Sequence, residues 1–339
     1  MQPNDTQTPI NKRMLNNDPR ETSSETSLYA KIQPQQQRRG PAWRVPLLCL
    51  LALALTLGIL ELTGGIAFTS AQKALPTRTF AINGHGSLVI NDGSGSFHIH
   101  EGTTDQVIIQ GNEYAYGLVN NFNGIQVQYA QQGNTVTLNA NEGWGILGSS
   151  GVNFDITVPA NLDVTIRGGS TDVDLTHIDG QFRTDIGSGN QHLNNINGPL
   201  NLSTGSGDIV INNEQGAVNA HTSSGNIHIN QLTGTVDLGT ASGDITLDQA
   251  RLSGQDHLQT SSGNIHFNGT LDPRGTYQME TASGDITLNL PANTSFQLTA
   301  STNSGDVKNA FSTSTTGSAP YATLTLKAAS GNINLQKQS

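Results

Sequence analysis

The 339-residue chain carries 38 glycines, only 12% charged and 5% aromatic residues, and a net charge of −10, a composition that cannot fill a wide core of large side chains but suits a thin one ordered by backbone ladders. The charge is uneven: residues 1–45 hold seven Lys/Arg against four Asp/Glu, whereas residues 70–339 hold nine against twenty-one. An acidic main domain excludes nucleic acid as a partner, because phosphate binding needs a basic surface, and the single Cys49 excludes an intrachain disulfide.

Residues 1–45 are rich in Asn, Gln, Ser, Thr and Pro without apolar periodicity, and read as a disordered polar tail on the cytoplasmic side. Residues 46–68 then run almost unbroken through Leu, Ala and Ile from Leu47 to Leu60. About 20 apolar residues span a bilayer, so this stretch is expected to be an uncleaved transmembrane helix, with Arg38, Arg39 and Arg44 holding the tail inside. The rival is a cleaved signal peptide ending near Thr69-Ser70-Ala71, for which a 43-residue polar leader is long. Either route exports the chain from residue 72 onward. Residues 69–77 read as a linker.

Residues 78–168 alternate apolar and polar residues in short runs bounded by Gly, Asn and Asp, as in Gln106-Val-Ile-Ile and Val152-Asn-Phe-Asp-Ile-Thr-Val. This pattern predicts an irregular β region leading into the stack and capping it, with Trp144 plugging the apolar end.

From 169 to 335 one phrase returns, Ser-Gly-Asp/Asn followed by apolar-x-apolar, with glycines at 189, 207, 225, 243, 263, 284, 305 and 331. A repeat of roughly 20 residues marks a stacked architecture. Nine residues before each glycine stand Gly180, Gly198, Gly216, Gly234, Gly254, Gly275, Phe296 and Ala322, so one half of every repeat is constant in length. Each half contributes two alternate apolar residues, such as Val218 and Ala220, then Ile227 and Ile229. The predicted fold is therefore all-β: a single-stranded β-solenoid with rungs of about 18–21 residues and two short strands per rung, followed by a four-residue tail at 336–339. Gln191, Asp256 and Asn309 interrupt the inward rows, and Thr171 replaces the first repeat glycine. Those rungs are expected to be the loosest. All length variation falls in the other half, near Asp248–Gly254, Asn268–Gly275, Asn289–Phe296 and Asn309–Ala322.

Chemistry is sparse. The chain has no H-E-x-x-H, no G-x-S-x-G, no Walker loop and no Cys/His zinc spacing, so neither a cofactor nor a metal is expected. His192, His228 and His266 share an outward row but are interrupted by Val210 and Thr246, which leaves them roughly 10 Å apart. Asp155, Asp163, Asp172, Asp174, Asp179 and Asp185 crowd one region, which keeps a glycoside hydrolase or Ca²⁺-dependent lyase as a lesser alternative.

Val152-Asn-Phe-Asp-Ile-Thr-Val-Pro159, Leu162-Asp-Val-Thr-Ile and the repeated Ser-Gly-Asp-Ile-x-Leu together resemble the bacterial adhesin-like β-strand-repeat family DUF4097 over roughly residues 78–335. That resemblance implies a non-enzymatic binding or scaffolding module and supplies no catalytic residues. A cell-wall polymer, a glycan or a surface protein fits as partner, and an envelope sensor working through the tail is the alternative. Insertions along one side of a repeat stack often line its binding surface. Arg251, Arg274, Phe311 and Tyr321 are the expected contacts there, being the scarce side chains that combine large area with directed polar groups. The charge asymmetry also sets topology. Protease added to intact cells is expected to remove the repeats and leave a fragment ending soon after Phe68, and protection of the repeats would refute that orientation.

Overall fold

The computed structural model describes residues 54–55, 69–117, 122, 124–141 and 148–338. The expected membrane helix at 46–68 and the plug Trp144 lie outside the described residues, among which no helix is long and apolar enough to cross a membrane. Residues 64–339 form one compact unit, and its described residues are strands and turns only.

The solenoid is built as the nine-residue spacing implies. Strand Ile209–Ser224 runs in parallel register with Ile227–Ser242, so that Ile209 meets Ile227, Val218 meets Val236 and Ala220 meets Leu238. Each such rung points six side chains inward rather than four: in the first of these strands Ile209, Ile211, Glu214, Val218, Ala220 and Thr222 are all buried. The two extra positions have distinct causes. One follows a kink at Asn213, whose φ is 56°, with His177, Asn195, Gln231 and Gln249 at the equivalent point of their rungs and in the same left-handed conformation. A left-handed residue with a Cβ costs about 1–2 kcal/mol, and the stack sustains that cost because the kink turns a further side chain into the core. The other is a threonine column. Thr204, Thr222, Thr240, Thr260 and Thr281 each donate their hydroxyl to the carbonyl of the repeat glycine one rung back, at 3.0–3.4 Å.

The Ser-Gly-Asp/Asn turn stays within the inter-rung ladder. Gly207 N–H donates to the Ser224 carbonyl at 3.1 Å and Ile209 N–H to the Asn226 carbonyl at 2.9 Å, so consecutive turns lie directly on one another. A Cβ on Gly207 would collide with the Gly189 carbonyl oxygen, and one on Gly225 with that of Gly207. Glycine is required here by close approach of backbones.

The rungs are not stacked in chain order. Ala322–Ser330 pairs on one side with Thr276–Ser283 and on the other with Phe296–Ser304, while Ile333–Lys337 lies between Ile286–Leu290 and Val307–Asn309. The last rung of the chain is thus inserted beneath the one that precedes it. In spatial order the third turn residues are Asp172, Asn190, Asp208, Asn226, Asp244, Asn264, Asp285, Asn332 and Asp306, a strict alternation that chain order conceals. Each backbone N–H in this column donates to the side-chain oxygen one rung before it, from Asn190 on Asp172 (2.8 Å) through to Asp306 on Asn332 (3.0 Å).

Both ends of the stack are covered. Gly86–Glu101 is already a full rung, in parallel register with Leu162–Asp179 on one side and with Thr135–Asn141 and Gly148–Val158 on the other, so parallel stacking begins well before residue 169. Beyond it the pairing turns antiparallel: Gln106–Gly117 lies on Gly148–Val158, Gln126–Gln132 lies on Thr135–Asn141, and Thr69–Ala74, within the expected linker, pairs with Gln106–Gly117. At the far end Thr315–Thr316 pairs antiparallel with Phe296–Gln297, and Phe311 packs edge-on against Phe296 at 5.0 Å. Antiparallel or looped cover blunts the exposed edges that would otherwise recruit further strands. Gln338, within the expected tail at 336–339, bonds Asn268, Gly269 and Asn289.

Three of the expected polar interruptions are held by neighbours. Gln191 is fully buried and accepts from the Thr184 hydroxyl at 2.6 Å, while Thr171 donates to Asp92 at 3.2 Å. Asn309 turns out of the core to cap its own loop through Phe311 N–H and the Thr313 carbonyl.

Alternation of Asp with Asn keeps carboxylates two rungs apart. Adjacent rungs lie about 4.8 Å apart, where two carboxylates repel by roughly 1 kcal/mol in water and more near protein. The double substitution Asn226→Asp with Asn264→Asp makes a run of five acids and is expected to cost about 2–4 kcal/mol at low ionic strength. Raising the salt from about 0.05 M to about 1 M shortens the screening length to about 3 Å, less than one rung, so chemical denaturation at the higher salt should show most of that loss recovered. The unrecovered part measures the amide donations of Asn226 and Asn264 to Asp208 and Asp244, at 3.3 and 3.2 Å; no recovery at all would assign the alternation to the amides alone.

Candidate functional site

The insertions do share one edge. Thr276 N–H donates to the Gly254 carbonyl, Thr323 N–H to Gly275 and Ala322 N–H to Ser295, which stacks the turns ending at 254, 275 and 295 at the corner that Gly180, Gly198, Gly216 and Gly234 occupy in the shorter rungs. These turns are built structure. Tyr277, fully buried, reaches the Leu252 and Asp272 carbonyls at 3.1 and 3.0 Å, pinning two successive insertions to one phenol.

The four expected contact residues separate in space. Arg251 and Arg274 are exposed and Tyr321 is half-buried. Phe311 is only 7% exposed, with its ring on Phe296 and the Lys337 ammonium 5.2 Å from its centre, so it serves the end cap and offers no surface for recognition. A scarce aromatic in a loop suggests a contact, but the apolar end of the stack claims this one.

Arg251 lines an open groove of about 510 Å³ beside the insertion edge. One wall is the left-handed column Asn213, Gln231 and Gln249; the other carries Gln215, Thr233, Arg251 and Thr270. The groove forms where the kinked column stops: the register shifts between Asp248 and Ala250 against Asn268 and Gly269, so the next rung lacks the extra residue. Small residues, Ala250 and Gly269, form part of the floor, and Gln338 closes one end. Asparagine and glutamine dominate these walls and form no motif, so of the groove's residues only Arg251 is legible in the sequence.

Beneath this surface lies Glu214, 1% exposed, in an inward row between Ile196 and Leu232. Neither carboxylate oxygen has a hydrogen-bond partner. Burial raises its pKa to about 8, so it is mainly protonated at neutral pH. Asp256, also buried, is raised to about 7 by desolvation, opposed by the Val236 N–H that donates to Oδ1 at 2.6 Å.

Glycoside hydrolysis uses two carboxyl groups across one bond, and among the described residues lining the groove Glu214 is the single acid. The acids that crowd residues 155–185 disperse over different rows. Asp172 belongs to the turn column, Asp163 contacts His85 at 3.0 Å, Asp185 pairs in register with Arg167, and Asp155 and Asp174 flank His98. His192, His228 and His266 alternate with Val210 and Thr246 through space, as their spacing requires.

The Toastrack DUF4097 family model matches residues 85–336, most of the chain and the whole repeat stack. The chain belongs to the Toastrack DUF4097 family. No curated protein matches the sequence significantly. Similar solved structures include a putative adhesin from Bacteroides fragilis, 16% identical over 78% of this chain and 97% of its own, with a TM-score of 0.40. Others are a putative adhesin from Parabacteroides merdae (11% identity, 79% and 97% coverage, TM-score 0.26) and a putative lipid binding protein from Parabacteroides distasonis (14%, 78% and 96%, 0.27).

In this Toastrack domain the two raised carboxyls govern pH dependence. The folded state keeps protons on Glu214 and Asp256 at pH values where the unfolded chain, with ordinary carboxylates near 4–4.5, has lost them. Their contribution therefore favours folding most in acid and is lost as pH rises from about 4.5 toward 8. Thermal melting is expected at lower temperature at pH 8 than at pH 5, the loss of stability being on the order of several kcal/mol. Glu214→Leu, which copies Leu232 of the next rung, should raise the pH 8 melting temperature and flatten the profile. A parent profile already flat across this range would show that the carboxyl is not held protonated.

Proposed function

We propose that this chain is a non-enzymatic binding module, held outside the membrane by an anchor at residues 46–68, that takes an extended polysaccharide along its insertion-edge groove. The observation that carries the reading is the groove itself: an open channel walled by Asn213, Gln231, Gln249, Gln215, Thr233 and Arg251. Side-chain amides offer both donors and acceptors and so suit hydroxyl-rich chains, while one guanidinium adds a directed, charge-assisted contact. A channel running across several rungs matches a polymer better than a compact ligand. The lone acid in its floor supports binding over hydrolysis.

The test uses the full chain displayed on cells, with cell-wall glycan and a panel of polysaccharides as probes. Arg251→Ala together with Gln231→Ala is expected to lower binding at least about tenfold, roughly the loss of one charged and one neutral hydrogen bond, while the melting temperature holds. Arg274→Ala, away from the groove walls, should bind as the parent does. Equal binding by the Arg251/Gln231 variant would move the site elsewhere, and release of sugar from any probe would replace a binding module with an enzyme.

A further inference from the structure

A cluster of histidine and acidic side chains lies on the outward face of the first full rung. In strand Gly86–Glu101, His98 and His100 are two residues apart and so project from the same face. The neighbouring strand Gly148–Val158 places Asp155 directly beside His98, and one ligand atom from each of the three lies within 4.8 Å of the others. Among the described residues this is the one group of three or more histidine, cysteine or acidic side chains so converged.

The hydrogen bonds around the rings favour a cation between them. His100 Nδ1 lies 3.2 Å from the Glu101 carbonyl, an acceptor, so that nitrogen carries the proton. Its Nε2 then turns a lone pair toward Asp155 Oδ1 at 3.1 Å, with the Thr157 hydroxyl at 3.3 Å beside the same nitrogen. A neutral imidazole lone pair and a carboxylate facing each other repel unless a proton or a metal ion stands between them. Two ligands on a tetrahedral zinc, each about 2.0–2.1 Å from the ion, are about 3.3 Å apart, which is close to this separation. On the far side of His98, Asp174 Oδ2 stands 3.5 Å from Nδ1, close enough to orient the ring once a metal occupies the other nitrogen.

We propose that His98, His100 and Asp155 bind one divalent transition-metal ion of the zinc class, with Asp174 orienting His98 from behind. Imidazole ligands select such ions over Ca²⁺ or Mg²⁺, which take oxygen. Three protein ligands leave a tetrahedral ion one position short, and because His98 and Asp155 are exposed, that position faces solvent and is open to a ligand from outside the chain. The site is separate from the groove and does not depend on it.

Isothermal titration of the chelator-treated full chain with Zn²⁺ is expected to show one equivalent bound, and Co²⁺ to give the visible absorption of a four-coordinate ion. His98→Ala and His100→Ala should each abolish that equivalent, and Asp174→Asn should weaken it about tenfold. These side chains point outward, and an unchanged circular dichroism spectrum will show that the variants are folded. His228→Ala, on the interrupted histidine row, should bind as the parent does. Absence of zinc uptake by the parent, retention of uptake by His100→Ala, or its loss in His228→Ala would each overturn the assignment.

Discussion

The structure depends on backbones stacking at the Ser-Gly-Asp/Asn turn. Because the repeat glycines lack a Cβ, successive turns approach until the carbonyl of one rung occupies the space a side chain would need in the next. That contact fixes the rung spacing, and everything else inherits it. The threonine hydroxyls then reach the glycine carbonyls one rung back, and the Asp/Asn side chains reach the N–H groups one rung on. A parallel stack places identical residues side by side, so any charge at the turn would be multiplied into a column. Alternating Asp with Asn keeps the acceptor that every rung needs while halving the charge.

The same logic explains where the domain tolerates imperfection. A buried polar group costs little if a neighbour in the stack answers it, as Thr184 answers Gln191. Glu214 has no such answer, and it sits under the one stretch of the edge where small residues and the end of the kinked column open a channel. An uncompensated buried acid is the kind of local disadvantage that functional sites retain.

Much of this architecture is legible in the sequence because period and glycine position are properties of a single rung. The 9 + 9 division, the inward Ile, Leu and Val rows, the common edge of the insertions and the interrupted histidine row all come from counting. Features that depend on neighbours are not legible in that way. The kink is carried by His177, Asn195, Asn213, Gln231 and Gln249, of which only the asparagines advertise a left-handed turn. His98 and His100 form an alternate pair on a strand, a readable signal, but their partner Asp155 is 55 residues from His100 and is brought in by a pairing that skips over Gln106–Gln132. Phe311 defeats the sequence because a loop position says nothing about which apolar end needs cover. The order of the final rungs is hidden for the same reason, although the pair Asp285 and Asp306, consecutive acids in an otherwise alternating series, is the trace it leaves in the chain.

That inversion bears on how the domain comes to be assembled. The strands Ala322–Ser330 and Ile333–Lys337 follow Phe296–Ser304 and Val307–Asn309 in the chain, yet they pair between those strands and Thr276–Ser283 and Ile286–Leu290 in the stack. Until they arrive, the rung at Phe296–Asn309 has no correct neighbour, and settling early on Thr276–Leu290 would set Asp306 directly against Asp285. Like charge disfavours that contact by roughly 1 kcal/mol in water and more near protein, a bias toward the observed pairing with Asn332. Loss of residues 322–337 would therefore remove a course from within the stack, leaving the rung at 296–309 without its neighbour, instead of merely shortening the stack.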